Sequence, residues 1–101
     1  MNISYSFESI EDLKRLRHFI EIKDPAAAQK IAYSLKEAIK QLKSFPFMGV
    51  MVELAPDPEM IRDLIVGDYI VRYLIRGNEI YILRVWHQKE NEKNITGIVS
   101  T

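Results

Sequence analysis

Between Ile61 and Trp86 the chain carries three apolar stretches rich in β-branched and aromatic residues, and only Gly67-Asp68 and Gly77-Asn78 separate them. Glycine and asparagine tolerate positive φ, so each pair suits a two-residue hairpin turn. So short a link leaves no room for a crossover, and neighbouring strands must run antiparallel. The spacing predicts strands at about Ile61–Val66, Tyr69–Arg76 and Glu79–Trp86, joined as a meander.

Upstream the apolar period changes to that of a helix. Ser6 is a good N-cap with Glu8 in the first turn, and Ile10, Leu13, Leu16, Phe19 and Ile20 follow at helical spacing. Asp24 caps a second helix whose first position is Pro25, where no N–H donor is needed. Ala28, Ile31, Ala32, Leu35, Ile39 and Leu42 form its stripe, and Pro46 ends it. With only Ile22 and Lys23 between them, the two helices are expected to pack as an antiparallel hairpin. Asn2 to Ser6 alternates weakly and suits a short first strand. The expected class is α+β: an N-terminal helical hairpin packed on an antiparallel β-meander, in one domain over residues 1–101.

Strand periodicity sorts the sheet residues into two sets. One set, Tyr69, Val71, Tyr73 and Ile75 with Tyr81, Leu83, Val85 and His87, is expected to bury against the helices. The other, Ile70, Arg72, Leu74 and Arg76 with Ile80, Ile82, Arg84 and Trp86, mixes arginine with large apolar groups. Trp and Arg are favoured anchors in interfaces, so that face is a candidate binding surface. The alternative is that the irregular segment from Pro46 to Met60 covers it. Met48, Val50, Met51, Val52 and Leu54 make this segment too apolar for full solvation, so it is expected to lie over the core. Asn91 to Thr101 reads as a loose tail.

Composition narrows the function classes. Fourteen basic residues balance fourteen acidic ones, which argues against a broad phosphate-neutralising surface. The absence of cysteine removes disulfides, thiolate catalysis and cysteine zinc sites. No apolar run approaches the roughly 20 residues that span a bilayer, and the first residues lack the blocks of a secretion signal. A cytoplasmic protein is expected. Phosphate-cradling loops, dinucleotide fingerprints and metal-ligand spacings are missing, so no cofactor is expected. His18 reads as structural, and the Glu11-Asp12 pair as solvated helix charge. His87 closes the last strand, where side chains become accessible, and Lys89 follows two residues later.

Taken in order, these pieces resemble a known family. A helix and an Asp-Pro-capped helix precede Ser44-Phe45-Pro46-x-x-Gly49, Arg62-Asp63-Leu64-Ile65-Val66 and Tyr69-Ile70-Val71-Arg72-Tyr73. The run Ile82-Leu83-Arg84-Val85-Trp86-His87-Gln88-Lys89-Glu90 closes the pattern. The chain from about Tyr5 to Glu90 resembles the RelE/ParE superfamily of bacterial toxins, most specifically over Tyr81 to Glu90. The end of the last strand is similar to the Arg-Val-x-His of the ParE branch. That resemblance implies a toxin of a type II toxin–antitoxin pair that inhibits DNA gyrase. A ParD-like antitoxin would hold it inactive in a hetero-oligomer.

The superfamily also contains ribosome-dependent mRNA nucleases, so the branch has to be argued. RNA cleavage needs a base, a cation at the phosphate and an acid for the leaving oxygen. The arginine that follows the first tyrosine of the middle strand in those nucleases is Ile70 here, and a tyrosine near their C-terminus aligns with Ile95. Their lysines on the preceding strand leave only Arg62 as a remnant. Lys89 does fall where they place a basic residue, and His87 matches the terminal histidine of the YoeB-like members, with Glu53 as a base. The two clear losses, weighed against these two matches and taken with the neutral pI, favour a non-catalytic gyrase inhibitor over the nuclease, whose partners would be ribosome and mRNA. A third reading is a protein-binding domain that has lost toxicity. The partner-binding candidates are Arg62, Ile70, Arg72, Leu74, Ile80, Ile82, Arg84, Trp86, His87 and Lys89.

Overall fold

A computed structural model describes residues 1–90, so the expected tail and Ile95 lie outside the described residues. The elements are β1 (Asn2–Tyr5), α1 (Phe7–Lys23), α2 (Pro25–Gln41), β2 (Val50–Met51), β3 (Ile61–Val66), β4 (Tyr69–Arg76) and β5 (Glu79–His87). The strands form one sheet in the order β1-β5-β4-β3-β2. β3, β4 and β5 make the expected antiparallel meander, while β1 pairs with β5 in parallel and makes the sheet mixed.

Both hairpins turn on glycine. Gly67 and Gly77 have φ of 59° and 60°, and no other described residue has positive φ, so Asp68 and Asn78 stay in ordinary regions. Positive φ at the first turn position alone fits a type II′ turn, whose twist matches the flanking strands. The helix starts are as expected. The Ser6 side chain accepts the Ser9 N–H, and the Asp24 side chain accepts the Ala27 N–H ahead of α2. Asp24 alone separates the two helices.

Leu35 and Ile39 of α2 and its C-cap Leu42 meet Val71, Tyr73 and Ile75 of β4 in the core, with Leu16 of α1 and Leu64 of β3 beside them. Each such large side chain, taken fully out of water, contributes about 1.5–3 kcal/mol. From β5 the core takes Ile80, Ile82 and Val85. This corrects the expected alternation. Tyr73 pairs with Ile82 but Arg72 with Arg84, so Leu83 is an extra residue with no partner on β4. A bulge of this kind reverses which residues face the core. Ile80 and Ile82, expected on the open face, are 0% exposed, and Leu83 is displaced from the core.

α1 departs from its single expected stripe as well. It buries Ser9, Asp12 and Leu16, while Ile10 and Phe19 remain exposed. The segment before β3 does not lie apolar side down over the core, for Met48, Val50, Met51 and Leu54 are all exposed.

Candidate functional site

The sheet brings the predicted residues together in three places and scatters the rest. On the face away from the core, Ile70 of β4 pairs with Trp86 of β5, and Arg72 with Arg84. Arg72 is not open to solvent: only 3% exposed, it forks onto Asp63 at 2.8 and 2.9 Å and stacks over the Trp86 ring at 5.0 Å. Trp86 is likewise 3% exposed, while Ile70 and Leu74 are half-buried. The expectation of an open arginine–tryptophan face therefore needs correcting. A guanidinium with a fixed carboxylate and a flat ring beneath it serves the sheet first.

Arg84 is directed to α1. Its Nε and Nη2 donate to Asp12 Oδ2 and Oδ1 at 2.8 and 2.9 Å. Asp12 also accepts the Val85 N–H at 2.9 Å and Arg15 Nη1 at 2.9 Å, and it is 2% exposed. The hydrogen bonds that Arg84 donates to Asp12 hold its pKa above its ordinary value, although burial opposes this. β1 stops at Tyr5, opposite Ile82, so beyond it the edge of β5 needs another acceptor. Asp12 supplies one to the orphan Val85 N–H. This carboxylate was read from sequence as solvated. Its signal was the Ser9, Asp12, Leu16 spacing, a second stripe of i, i+3, i+7 character hidden beside the apolar one.

The third place is the end of β5. His87 and Lys89 line a cavity of about 610 Å³ with Arg15, Lys23, Tyr69 and Glu90 over an apolar floor of Leu16, Phe19 and Ile20. The His87 ring meets Tyr69 edge-on, with centroids 5.0 Å apart, and its Nδ1 accepts the Lys89 N–H at 3.0 Å. A neutral imidazole held this way carries its proton on Nε2. Glu90 Oε1 accepts the His87 N–H at 2.9 Å and Arg15 Nη2 at 3.2 Å, tying the strand end back to α1. Burial, then the nearby Asp68 and Glu90 carboxylates, push the Tyr69 phenol above its usual range.

Arg62 stands apart from this cavity. It lies on β3, with β4 between it and β5. Its guanidinium donates to Glu59 O, Phe47 O and Gly49 O at 2.9, 3.2 and 3.0 Å and covers the Phe47 ring at 5.0 Å. Ile80 and Ile82 are core and offer nothing to a partner in this conformation.

A further surface, absent from the sequence reading, runs between the helices. Ile10, Leu13, Leu16, Ile20, Ile31 and Leu35 line an apolar groove of about 380 Å³, and Lys14, Arg17 and Lys36 flank it with no carboxylate among its lining residues. Among the described residues no helix is long and apolar enough to cross a membrane.

The sequence matches, over residues 3–92, the family described as ParE toxin of type II toxin-antitoxin system, parDE. It is 28% identical over 86 residues to Toxin RelE2 of Caulobacter vibrioides, covering 84% of this chain and 92% of that protein. The fold is similar to a structure titled chromosomal ParDE TA system from P. aeruginosa. That similarity has a TM-score of 0.72 at 21% identity, over 86% of this chain and 95% of the other. A conserved hypothetical protein of Helicobacter pylori, solved in solution, shares the fold at a TM-score of 0.58 and 15% identity, over 89% of this chain and 97% of its own.

Proposed function

The chain belongs to the ParE toxin family of type II toxin–antitoxin systems, and from that premise we propose that it inhibits DNA gyrase by binding, without making or breaking a bond itself. A ParD-like antitoxin neutralises it in a hetero-oligomer.

One observation carries the choice of branch. RNA cleavage asks a base, a cation and an acid to meet around one phosphate. His87 and Lys89 share the cavity at the end of β5, but the guanidinium of Arg62 is spent on three loop carbonyls two strands away. Glu53 follows β2, at the opposite edge of the sheet from β1 and β5. The groups a nuclease would gather are dispersed, which supports a binding role for those near His87.

The groove between the helices suits the antitoxin. Its apolar lining takes the matching face of an amphipathic helix, and Lys14, Arg17 and Lys36 favour acids on that helix's flanks. An interface above roughly 1,200 Å² is expected for such a complex. Half-buried Ile70 and Leu74 remain proposed contacts on the sheet's outer face, with Arg84 and Lys89 at the strand end.

The mRNA nuclease stands as the second reading because the His87 cavity is rimmed by Arg15, Lys23 and Lys89. Induced expression, followed by separate assays of DNA supercoiling and mRNA integrity, tests the choice. We expect lost supercoiling and intact mRNA, with His87→Gln leaving toxicity largely unchanged. Ribosome-dependent cutting that falls by about 10²–10⁴ in His87→Gln, the scale of general acid–base catalysis, replaces this reading with the nuclease. Trp86→Ala does not probe contacts, since the ring is 3% exposed and its loss reports stability.

A further inference from the structure

Between α2 and β3 the backbone faces the protein and the apolar side chains face away. The Tyr73 hydroxyl donates to Pro46 O at 2.7 Å and accepts the Gly49 N–H at 2.9 Å. Arg62 holds the carbonyls of Phe47 and Gly49, and the Val52 N–H reaches Ile61 O at 3.2 Å. With the peptide groups fixed inward, Phe45, Phe47, Met48, Val50, Met51 and Leu54 are left 45–85% exposed. Six large apolar side chains within ten residues are not the scattered single exposures of an ordinary surface.

The charges carried by the segment itself have one sign, and the cation packed against it, Arg62, has its guanidinium committed to three backbone carbonyls and the Phe47 ring. Glu53, Asp57 and Glu59 are the ionisable residues between Ser44 and Met60, with no Lys, Arg or His among them. The groove between the helices has the reverse lining, apolar with Lys14, Arg17 and Lys36 and no carboxylate, although Lys14 pairs with Glu11 and Arg17 with Glu21. Two apolar surfaces with opposite borders select different partners, because a like-charged border repels what the other attracts.

We propose that the Phe45–Leu54 segment is where the toxin docks on its protein target, and that the target presents an apolar patch bordered by Lys and Arg. The proposal rests on the gyrase reading above and gives that reading a contact surface separate from the end of β5. An acid-bordered surface repels phosphate, so a nucleic acid is the disfavoured occupant. The inward hydrogen bonds already order the backbone, so docking loses little further freedom. None of these six side chains lines the groove between the helices.

The test uses purified toxin and gyrase reconstituted from both subunits, read by direct binding and by inhibition of supercoiling. Two paired variants are compared with wild type: Met51→Ser with Leu54→Ser, and Glu53→Lys with Glu59→Lys. The two carboxylates make no hydrogen bond or ion pair among the described residues, so the lysine pair leaves the fold intact and carries the test alone if the serine pair melts early. Each folded pair is expected to lose about tenfold or more in gyrase affinity, while antitoxin binding stays unchanged. The loss in the lysine pair shrinks as salt is raised. Folded variants that bind and inhibit gyrase within about twofold of wild type overturn the proposal. If wild type itself fails to bind gyrase, the gyrase reading falls, and both pairs are measured on ribosomes instead. A similar loss there keeps the docking surface with a different target, whereas unchanged binding, or tighter binding by the lysine pair, overturns the surface as well.

Discussion

Replacing Asp12 with alanine is expected to remove a large part of the stability of this fold. The carboxylate is 2% exposed and accepts from Arg84 Nε and Nη2, Arg15 Nη1 and the Val85 N–H, all at 2.8–2.9 Å. Removing one partner of a buried ion pair costs about 3–5 kcal/mol, because the other charge stays behind. That figure is discounted here, since the Arg84 side chain is 15% exposed and Arg15 41%, and both regain water. The Val85 N–H keeps no acceptor where β1 has ended, which adds about 1–3 kcal/mol. Together these give about 3–5 kcal/mol, against about 5–15 kcal/mol for a whole domain. Urea unfolding of wild type and Asp12→Ala measures the difference. In a double-mutant cycle with Arg84→Met, the pair should couple by about 0.5–3 kcal/mol, because each single variant leaves the other charge behind and the double variant removes both. A loss below about 1 kcal/mol for Asp12→Ala would refute the reasoning, since a single surface ion pair is worth that much.

Leu35→Ala should cost about 2–5 kcal/mol in denaturant, as for other buried leucines. Gly49→Ala places a Cβ 2.8 Å from Tyr73 Cε1 and Oη and 2.9 Å from Asp63 O. The backbone oxygen cannot swing aside, so a loss of about 1–3 kcal/mol or more is expected by the same assay. Tyr73→Phe strands the buried Gly49 N–H and should cost about 1–3 kcal/mol at neutral pH. Burial raises the Tyr73 pKa above its ordinary 10.0 despite the Gly49 and Arg62 contacts that lower it. A raised folded-state value means its contribution is fully present below pH 10 and is lost as pH climbs through that value. The wild-type advantage over Tyr73→Phe should therefore narrow only in alkaline titrations, and narrowing on acidification would contradict it.

The parts legible in the sequence were those governed by local stereochemistry. Gly67-Asp68 and Gly77-Asn78 had few conformations to choose from, and Asp24-Pro25 could hardly begin anything but a helix. The family resemblance over Tyr81–Glu90 led to the toxin assignment that the profile over residues 3–92 supports. What escaped was decided by contacts distant in sequence. No glycine or proline marks the Leu83 bulge, yet it moved Ile80 and Ile82 from the expected open face into the core. Asp12 sits beside Glu11 in an ordinary charged helix, and only the return of β5 gives it Arg84 and Val85. Met48 to Leu54 read as buried because they are apolar, but Tyr73 and Arg62 hold the backbone inward and leave those side chains outside.

The parallel pairing of β1 with β5 joins residues 77 positions apart. Closing a loop of that length costs on the order of 4 kcal/mol of chain entropy before any contact repays it. The two hairpins close over two residues each and can form first. β1 must therefore wait unpaired until the last strand exists, and Asp12 waits with it, since Arg84 and Val85 also belong to that strand. Both the first strand and the first helix are completed by β5. A ribosome that stalls before residue 79 leaves β1 and Asp12 without the strand that pairs them, and the core without Ile80, Ile82 and Val85.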